Sequence, residues 1–411
     1  MLSRSIAYFR QFDRSLWILA TGWFVSALGF AAAIPFIAIY FNEAYGVSIT
    51  TIGLFYGLMA VVRSLFQMVA GEVSDRIERR QLLIYSQMCR AVAFVLIAVG
   101  ISCDWGVWWT AGVLLVNSVF GAIFQPVANA MVSDILPDKQ RLDGYAVTRS
   151  AGNLGWAAGP AIGGFLAKSS YALLFYIAAV LTIVSALIFL FFLVSPKVAR
   201  VLDRFKLSDL VAIKDDPYLA WHSILIFLLY LVVAQLIAPF SLYAVQIVGI
   251  SEAQLGFLYM MNGLIVVAFQ IPVTRMLSGL RFTTQLILGA LVYAVGYSMI
   301  GLWAGFNFFM IAMVVVTVAE VFMSPPSLAL TARLAPEGRM GRYMGIYGFF
   351  VASGWSFGPL YGGLILDHFY KSPAICWLLI SSLAVVSAIG YMVFKRALPA
   401  HFDNAVSSTR A

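Results

Sequence analysis

An all-α membrane protein of twelve spanning helices, arranged as two six-helix halves, is the fold class that three observations predict. Hydrophobic residues make up 62% of the 411 residues and charged residues only 11%, less than half the roughly 25% of an average soluble domain. The apolar residues gather in twelve runs of about the 20 residues that a helix needs to cross a bilayer. A set of glycines, prolines and aromatic residues in the first half recurs in the second at a fixed interval. With a mean hydropathy of +0.93, much of the surface must face lipid, where unpaired backbone groups exclude open sheets. Continuous apolar runs favour helices over a closed barrel.

The runs lie near 16–41, 52–72, 81–101, 107–132, 143–167, 171–195, 218–247, 253–273, 283–304, 307–332, 342–366 and 373–395. The first is too long for a signal-peptide core, and Pro35 follows its only small-residue run, Ala31-Ala32-Ala33, so it reads as an uncleaved span. A charged segment, 71–80, separates the second run from the third. The sixth ends at a charged linker in which Asp215 and Asp216 precede Pro217, read as a solvated connector. The organisation that follows is a half at 1–195, a cytoplasmic linker at 196–217, a second half at 218–396 and a cytoplasmic tail at 397–411. Abundant Phe (32), Tyr (19) and Trp (10) suit aromatic belts at both interfaces.

Orientation follows from the basic residues. With the amino terminus inside, cytoplasmic segments hold 21 Lys and Arg, the outer loops hold two (Lys168 and Lys371), and three lie within spans: Arg63, Arg90 and Arg149. That asymmetry puts both termini in the cytoplasm. It also accounts for the net charge of +8 without a nucleic-acid partner. Cys89, Cys103 and Cys376 form no metal-ligand spacing and no disulfide framework.

The repeat is specific. Pro126, Ala130, Pro137, Gly155, Trp156, Gly159, Pro160, Gly163 and Gly164 match Pro325, Ala329, Pro336, Gly354, Trp355, Gly358, Pro359, Gly362 and Gly363, every pair 199 residues apart. Gly46, Ser48, Gly53, Tyr56, Phe66 and Gln67 match Gly249, Ser251, Gly256, Tyr259, Phe269 and Gln270 at an interval of 203. Two parallel halves imply a transporter plan with a midplane site at the repeat interface.

Gly71-Glu72-Val73-Ser74-Asp75-Arg76-Ile77-Glu78-Arg79-Arg80 resembles the G-x-L-A-D-R-x-G-R-[KR] loop of the major facilitator superfamily. Glu78 stands in place of the second glycine and Val73 in place of the leucine. Gly155-x-x-x-Gly159-Pro160-x-x-Gly163-Gly164 is similar to the fifth-span signature of that family's drug:proton antiporter branch. The resemblance covers essentially the full length and implies its fold, with alternating access and export. One departure stands out: Asn117 occupies the place, four residues before Gly121, where those antiporters carry an arginine, so that arginine's role does not transfer.

From the resemblance, Gly71, Asp75, Arg76, Arg79 and Asp134 form a conformational latch. Asp75 faces the start of the eleventh span and Arg79 pairs with Asp134; the simpler reading makes these charges cytoplasmic anchors. Gly155, Gly159, Pro160, Gly163, Gly358 and Pro359 serve close helix approach and bending, since small residues let backbones meet in lipid and proline frees a backbone acceptor.

Charges within spans are costly and point to a wet cavity or a partner. Glu320 is the only carboxylate well inside a span. It belongs to a polar stripe of Thr317, Glu320, Ser324, Ser327 and Thr331 at helical spacing. Desolvation favours the neutral acid, so Glu320 is either a proton carrier or a hydrogen-bonded structural acid. Arg63 tunes it by charge, binds an anion, or snorkels to the headgroups. Asn117, Gln125, Arg149, Tyr230, Gln235, Thr317, Ser324 and Tyr347 are candidates for a mostly apolar substrate cavity, although a lone polar residue in a span is often helix–helix glue.

The expected function is proton-coupled efflux of small amphipathic compounds by a monomer in a bacterial inner membrane. The alternative is export or exchange of an anionic metabolite on the intramembrane arginines. The expected partners are substrate, protons and the bilayer, with no cofactor or metal. The chain lacks a G-x-x-x-x-G-K-[ST] phosphate loop, so an ATP-driven pump is disfavoured, and no motif suggests an enzyme.

Overall fold

The computed structural model describes residues 12–194, 216–277, 279–336 and 340–403; the expected linker up to 215 and the tail from 404 lie outside the described residues. The long helices in chain order are α1 Arg14–Tyr45, α2 Ile49–Arg76, α3 Arg79–Ser102, α4 Val107–Ile135, α5 Asp138–Ala167, α6 Tyr171–Phe192, α7 Pro217–Val233, α8 Glu252–Leu277, α9 Phe282–Leu302, α10 Phe306–Leu334, α11 Met340–Phe369 and α12 Pro373–Ala397. A short α13, Ala400–Asp403, follows. Each expected span is present as helix.

Eleven of these helical stretches are both long and apolar enough to cross a bilayer. The exception is α5, whose first half carries Asp138, Lys139, Arg141, Asp143 and Arg149; its apolar half coincides with the expected span. The seventh span is less regular than its apolar run suggests. After α7 the chain passes through a 3-10 turn at Ala234–Leu236, a helical turn at Pro239–Leu242 and a π turn at Tyr243–Ile247. Pro239 lacks a backbone donor and breaks the ladder there.

The reading of Asp215 and Asp216 as a solvated connector needs correcting for Asp216. Its carboxylate caps α7, accepting from the N–H groups of Tyr218 (2.9 Å) and Leu219 (3.1 Å), with Pro217 at the first helical position. The Tyr343 hydroxyl of α11 donates to the same carboxylate at 2.6 Å.

The chain divides into two compact units. One contains residues 12–40, 61–194 and 251–263; the other contains 41–60, 216–250 and the described residues from 264 onward. These units differ from the sequence halves because the first turns of α2 and of α8 are each grouped with helices of the other repeat.

In the first unit α5 lies directly against α1. A Cβ at Gly155 would stand 2.7 Å from that of Ala27, one at Gly159 would stand 2.7 Å from that of Ala31, and one at Gly163 would run into the Ala32 carbonyl. Gly256 of α8 meets the Pro160 carbonyl in the same way. A cluster of Leu16, Leu19, Leu83, Phe124, Met131 and Phe189 fills the core near the α3 amino terminus.

The second unit repeats the device. Gly358 lies against Leu231 and Ala234 of the seventh span, and Gly53 lies 2.6 Å, measured from its would-be Cβ, from the carbonyl oxygen of Pro359. The Asp367 carboxylate accepts from the Thr50 N–H at 2.8 Å, satisfying a free donor at the start of α2. An aromatic stack of Tyr293, Tyr297 and Trp377 joins α9 to α12.

The duplication extends to the turns. Gly46 and Gly249, 203 apart, have φ of +62° and +80°; Gly106 and Gly305, 199 apart, have φ of +88° and +115°. A side chain would be strained at each of these positions.

Candidate functional site

Among the described residues, three charged side chains stand at the midpoints of their helices, where burial in a membrane is deepest. Glu320 lies midway between Phe306 and Leu334 of α10, with about 21 Å of helix on either side. Arg63 holds the corresponding place in α2 and Arg90 in α3.

Arg90 is 5% exposed and sits at the centre of a polar network in the first unit. Its guanidinium donates to Ser26 Oγ of α1 (3.1 Å) and Gln87 Oε1 of α3 (2.9 Å). Gln87 in turn donates to Ser185 Oγ of α6 (3.1 Å), and Ser185 donates to the Gly22 carbonyl of α1 (2.8 Å). Asn117 of α4 donates to the Arg90 carbonyl at 3.2 Å. The faces of Phe30 and Phe94 lie 5.3 and 5.7 Å from the guanidinium carbon. Arg90 Nε is buried and has no hydrogen-bond partner; it lies 3.6 Å from where a Cβ on Gly121 would stand. Arg63 is exposed and within electrostatic range of Arg90. Like charges at this depth are compatible only if solvent or an anion screens them.

In the second unit, Glu320 is half-buried and lies within electrostatic range of the buried Tyr293 hydroxyl of α9. The polar stripe around it divides. Thr317 is buried and donates to the Met313 carbonyl of its own helix at 2.6 Å. Ser324 is half-buried. Ser327 and Thr331 turn toward His222 of α7. His222 Nε2 lies 3.2 Å from both the Ser327 carbonyl and Thr331 Oγ1, and its Nδ1 lies 3.0 Å from the Tyr391 hydroxyl of α12. A carbonyl only accepts, so Nε2 carries the hydrogen and Tyr391 donates to Nδ1. Ser327 Oγ donates to the Ser324 carbonyl (2.9 Å), which leaves Tyr347 of α11 as donor to Ser327 Oγ at 2.8 Å. α7, α10 and α12 therefore bond at one imidazole, and α11 joins through Ser327.

The remaining candidates separate by burial. Gln125 and Arg149 are exposed and Tyr230 is half-buried, its ring 6.2 Å from that of Trp355. Asn117 and Gln235 were expected on a cavity wall; the structure puts them in helix contacts. Gln235 is fully buried and donates to the carbonyls of Leu231 (2.6 Å) and Gly358 (2.8 Å). Thr317 and Tyr347 are likewise buried and internally bonded. An amide in an apolar span must find a partner, and in these cases the partner is a neighbouring backbone or side chain.

At the α3 amino terminus, Arg79 Nη1 lies 2.5 Å from Asp134 Oδ1, with both side chains at most 10% exposed. The same guanidinium donates to the Ala130 carbonyl at 2.5 Å. Arg80 donates to the carbonyls of Phe189 and Leu190 at the end of α6. The surroundings of Gly71 and the side chains of Asp75 and Arg76 lie outside what is described.

The His222 network and the Gln87–Ser26–Ser185 network escape sequence reading. The one available signal was a lone histidine within an apolar span.

Among solved structures, a POT family transporter in complex with 5-aminolevulinic acid aligns with a TM-score of 0.77 at 14% identity, covering 94% of this chain and 96% of that one. The nucleoside transporter NupG aligns with a TM-score of 0.77 at 14% identity, covering 93% and 100%. By sequence, the chain is 26% identical to the uncharacterized MFS-type transporter YttB of Bacillus subtilis, over 96% of this chain and 99% of that one. It is 24% identical to a Na(+), Li(+), K(+)/H(+) antiporter of Planococcus maritimus, over 81% and 85%. It is 21% identical to the multidrug resistance protein MdtH of Salmonella arizonae, over 92% and 93%. The family model for the Major Facilitator Superfamily matches residues 19–359 and 224–408. With that match over most of its length, and with the fold and duplicated helices described above, the chain belongs to the major facilitator superfamily and is a membrane transporter, not an enzyme.

Proposed function

We propose that this transporter exports small amphipathic compounds in exchange for protons, with Glu320 as the proton carrier. The observation that carries the reading is the position of Glu320: a half-buried carboxyl midway along α10, within electrostatic range of the Tyr293 hydroxyl. An acid so placed is held neutral in a dry setting and ionises when water reaches it, which is the property a proton carrier needs. Antiport is the stated activity of the Planococcus relative and multidrug resistance that of MdtH. Both termini face the cytoplasm on the strength of the Lys and Arg asymmetry, and the chain works as a monomer of two repeat halves. Gly71, Asp75, Arg76, Arg79 and Asp134 act as the latch, and the glycines and prolines of α5 and α11 as packing hinges.

The test is proton movement in proteoliposomes holding a pH gradient. Adding a transported cation or drug should dissipate the gradient with wild-type protein and fail to do so with Glu320→Gln. Full gradient-driven transport by Glu320→Gln would overturn the assignment.

A second reading, export of an anionic metabolite, is favoured by two observations: Arg63 and Arg90 lie within electrostatic range of each other, and Arg90 Nε is buried without a partner. On this reading Arg63→Gln abolishes transport of anions only, whereas under proton exchange it alters transport of cations.

A further inference from the structure

We propose that a cavity between the start of α9 and the end of α12 binds an anionic phospholipid. The open cavity, of about 760 Å³, is lined by Arg281, Thr284, Ile287, Met392, Lys395 and Arg396, together with Leu398 just past the end of α12. It lies wholly within the second unit and at the helix ends, whereas Glu320 stands at mid-helix, so it stands whether or not protons are exchanged.

Its residues are ordered along the membrane normal. Arg281 immediately precedes α9, and Lys395 and Arg396 occupy the last turn of α12. These cations therefore share the level at which both helices end, where a bilayer places its headgroups. Ile287 lies five residues into α9 and Met392 five residues before the end of α12, about 7 Å deeper at 1.5 Å per residue. A cationic rim above an apolar floor matches a lipid phosphate with its glycerol and first acyl carbons. A free phosphate would use the rim and leave the floor wet.

The rim is built rather than incidental. Lys395 Nζ donates to Thr284 Oγ1 at 2.9 Å, fixing one ammonium, while Arg281 and Arg396 are exposed and free to close on a ligand. The neighbouring carboxylate, Asp403 of α13, is 1% exposed and engaged on both oxygens by Thr283, through its N–H at 2.8 Å and its hydroxyl at 2.7 Å. It caps α9 and is not available to neutralise the rim. Three cations therefore face the cavity.

The experiment is a melting titration of the purified full chain in non-ionic detergent. Its arms are dioleoylphosphatidylglycerol, dioleoylphosphatidylcholine and inorganic phosphate. Phosphatidylglycerol should raise the melting temperature, and the other two should not. Each cation near a membrane phosphate is worth about fivefold in affinity, so Arg281→Gln/Arg396→Gln should need roughly 25-fold more phosphatidylglycerol for the same rise. Lys168→Gln/Lys371→Gln, which removes the same charge at the opposite helix ends, should titrate as wild type. If the Arg281/Arg396 variant does not purify, Arg396→Gln alone should show the fivefold step. An equal response to phosphatidylcholine overturns the proposal. So does a full response to phosphate, which would mean an adventitious ion only, or superimposable titrations of the Arg281/Arg396 variant and wild type.

Discussion

Breaking the ion pair between Arg79 and Asp134 should cost different amounts depending on which partner is removed. The pair is short, 2.5 Å, and both side chains are at most 10% exposed, so removing one charge strands the other. Such losses run to about 3–5 kcal/mol for fully buried pairs. This pair sits at the ends of α3 and α4, where water is near, so about 2–3 kcal/mol is the working figure for Asp134→Asn. Arg79→Gln also loses the charged hydrogen bond to the Ala130 carbonyl, adding about 1 kcal/mol or more. The double variant strands no charge, so its loss should fall short of the sum of the two single losses by about 1.5 kcal/mol. At about 2–4 °C per kcal/mol, Arg79→Gln should melt lowest of the single variants, with the double variant close beside it. The measurement is a thermal melt of each purified protein in one detergent, paired with transport in proteoliposomes. If the two single losses simply add, the side chains are not coupled and the pair is an anchor with no role as a latch.

Further expectations follow from the helix contacts. His222→Phe removes the imidazole that joins α7, α10 and α12 and leaves the Tyr391 hydroxyl buried without an acceptor, at about 2–3 kcal/mol. Tyr391→Phe should cost about 1–2 kcal/mol, and a double variant no worse than His222→Phe alone would confirm that they form one unit by the same melt. Gly163→Ala drives a methyl into the Ala32 carbonyl and should cost about 1–3 kcal/mol and slow transport. Gly112→Ala, with nothing within 4 Å of its would-be Cβ, should be neutral or slightly stabilising.

The spans were legible because lipid imposes one requirement, an internally bonded apolar helix, and a run of twenty residues announces it. The duplicated Gly-Pro stretch was legible too, since a fixed interval of 199 residues needs no tertiary knowledge. The Arg79–Asp134 contact could be anticipated from its place at the ends of two successive helices. Asn117 and Gln235 carry no such local signature. An amide on an apolar helix looks the same in sequence whether it faces water or a neighbouring backbone, and only the tertiary arrangement decides. His222 is visible as a lone histidine in an apolar span, but its partners Ser327, Thr331 and Tyr391 lie 105 to 169 residues away, and no local pattern links them. The break after α7 was signalled by Pro239, yet α1 carries Pro35 and remains one helix, so proline alone does not say which span is interrupted.

The guanidinium of Arg90 has a mechanical corollary. It, its own backbone carbonyl and the Gln87 beside it tie α1, α3, α4 and α6 together through directional bonds. A ratchet of any one of these four by a helical turn would rupture at least one of those bonds. They are therefore bound to travel as a block. α2 and α5 take no part in these bonds; α5 meets the block through its glycines on α1.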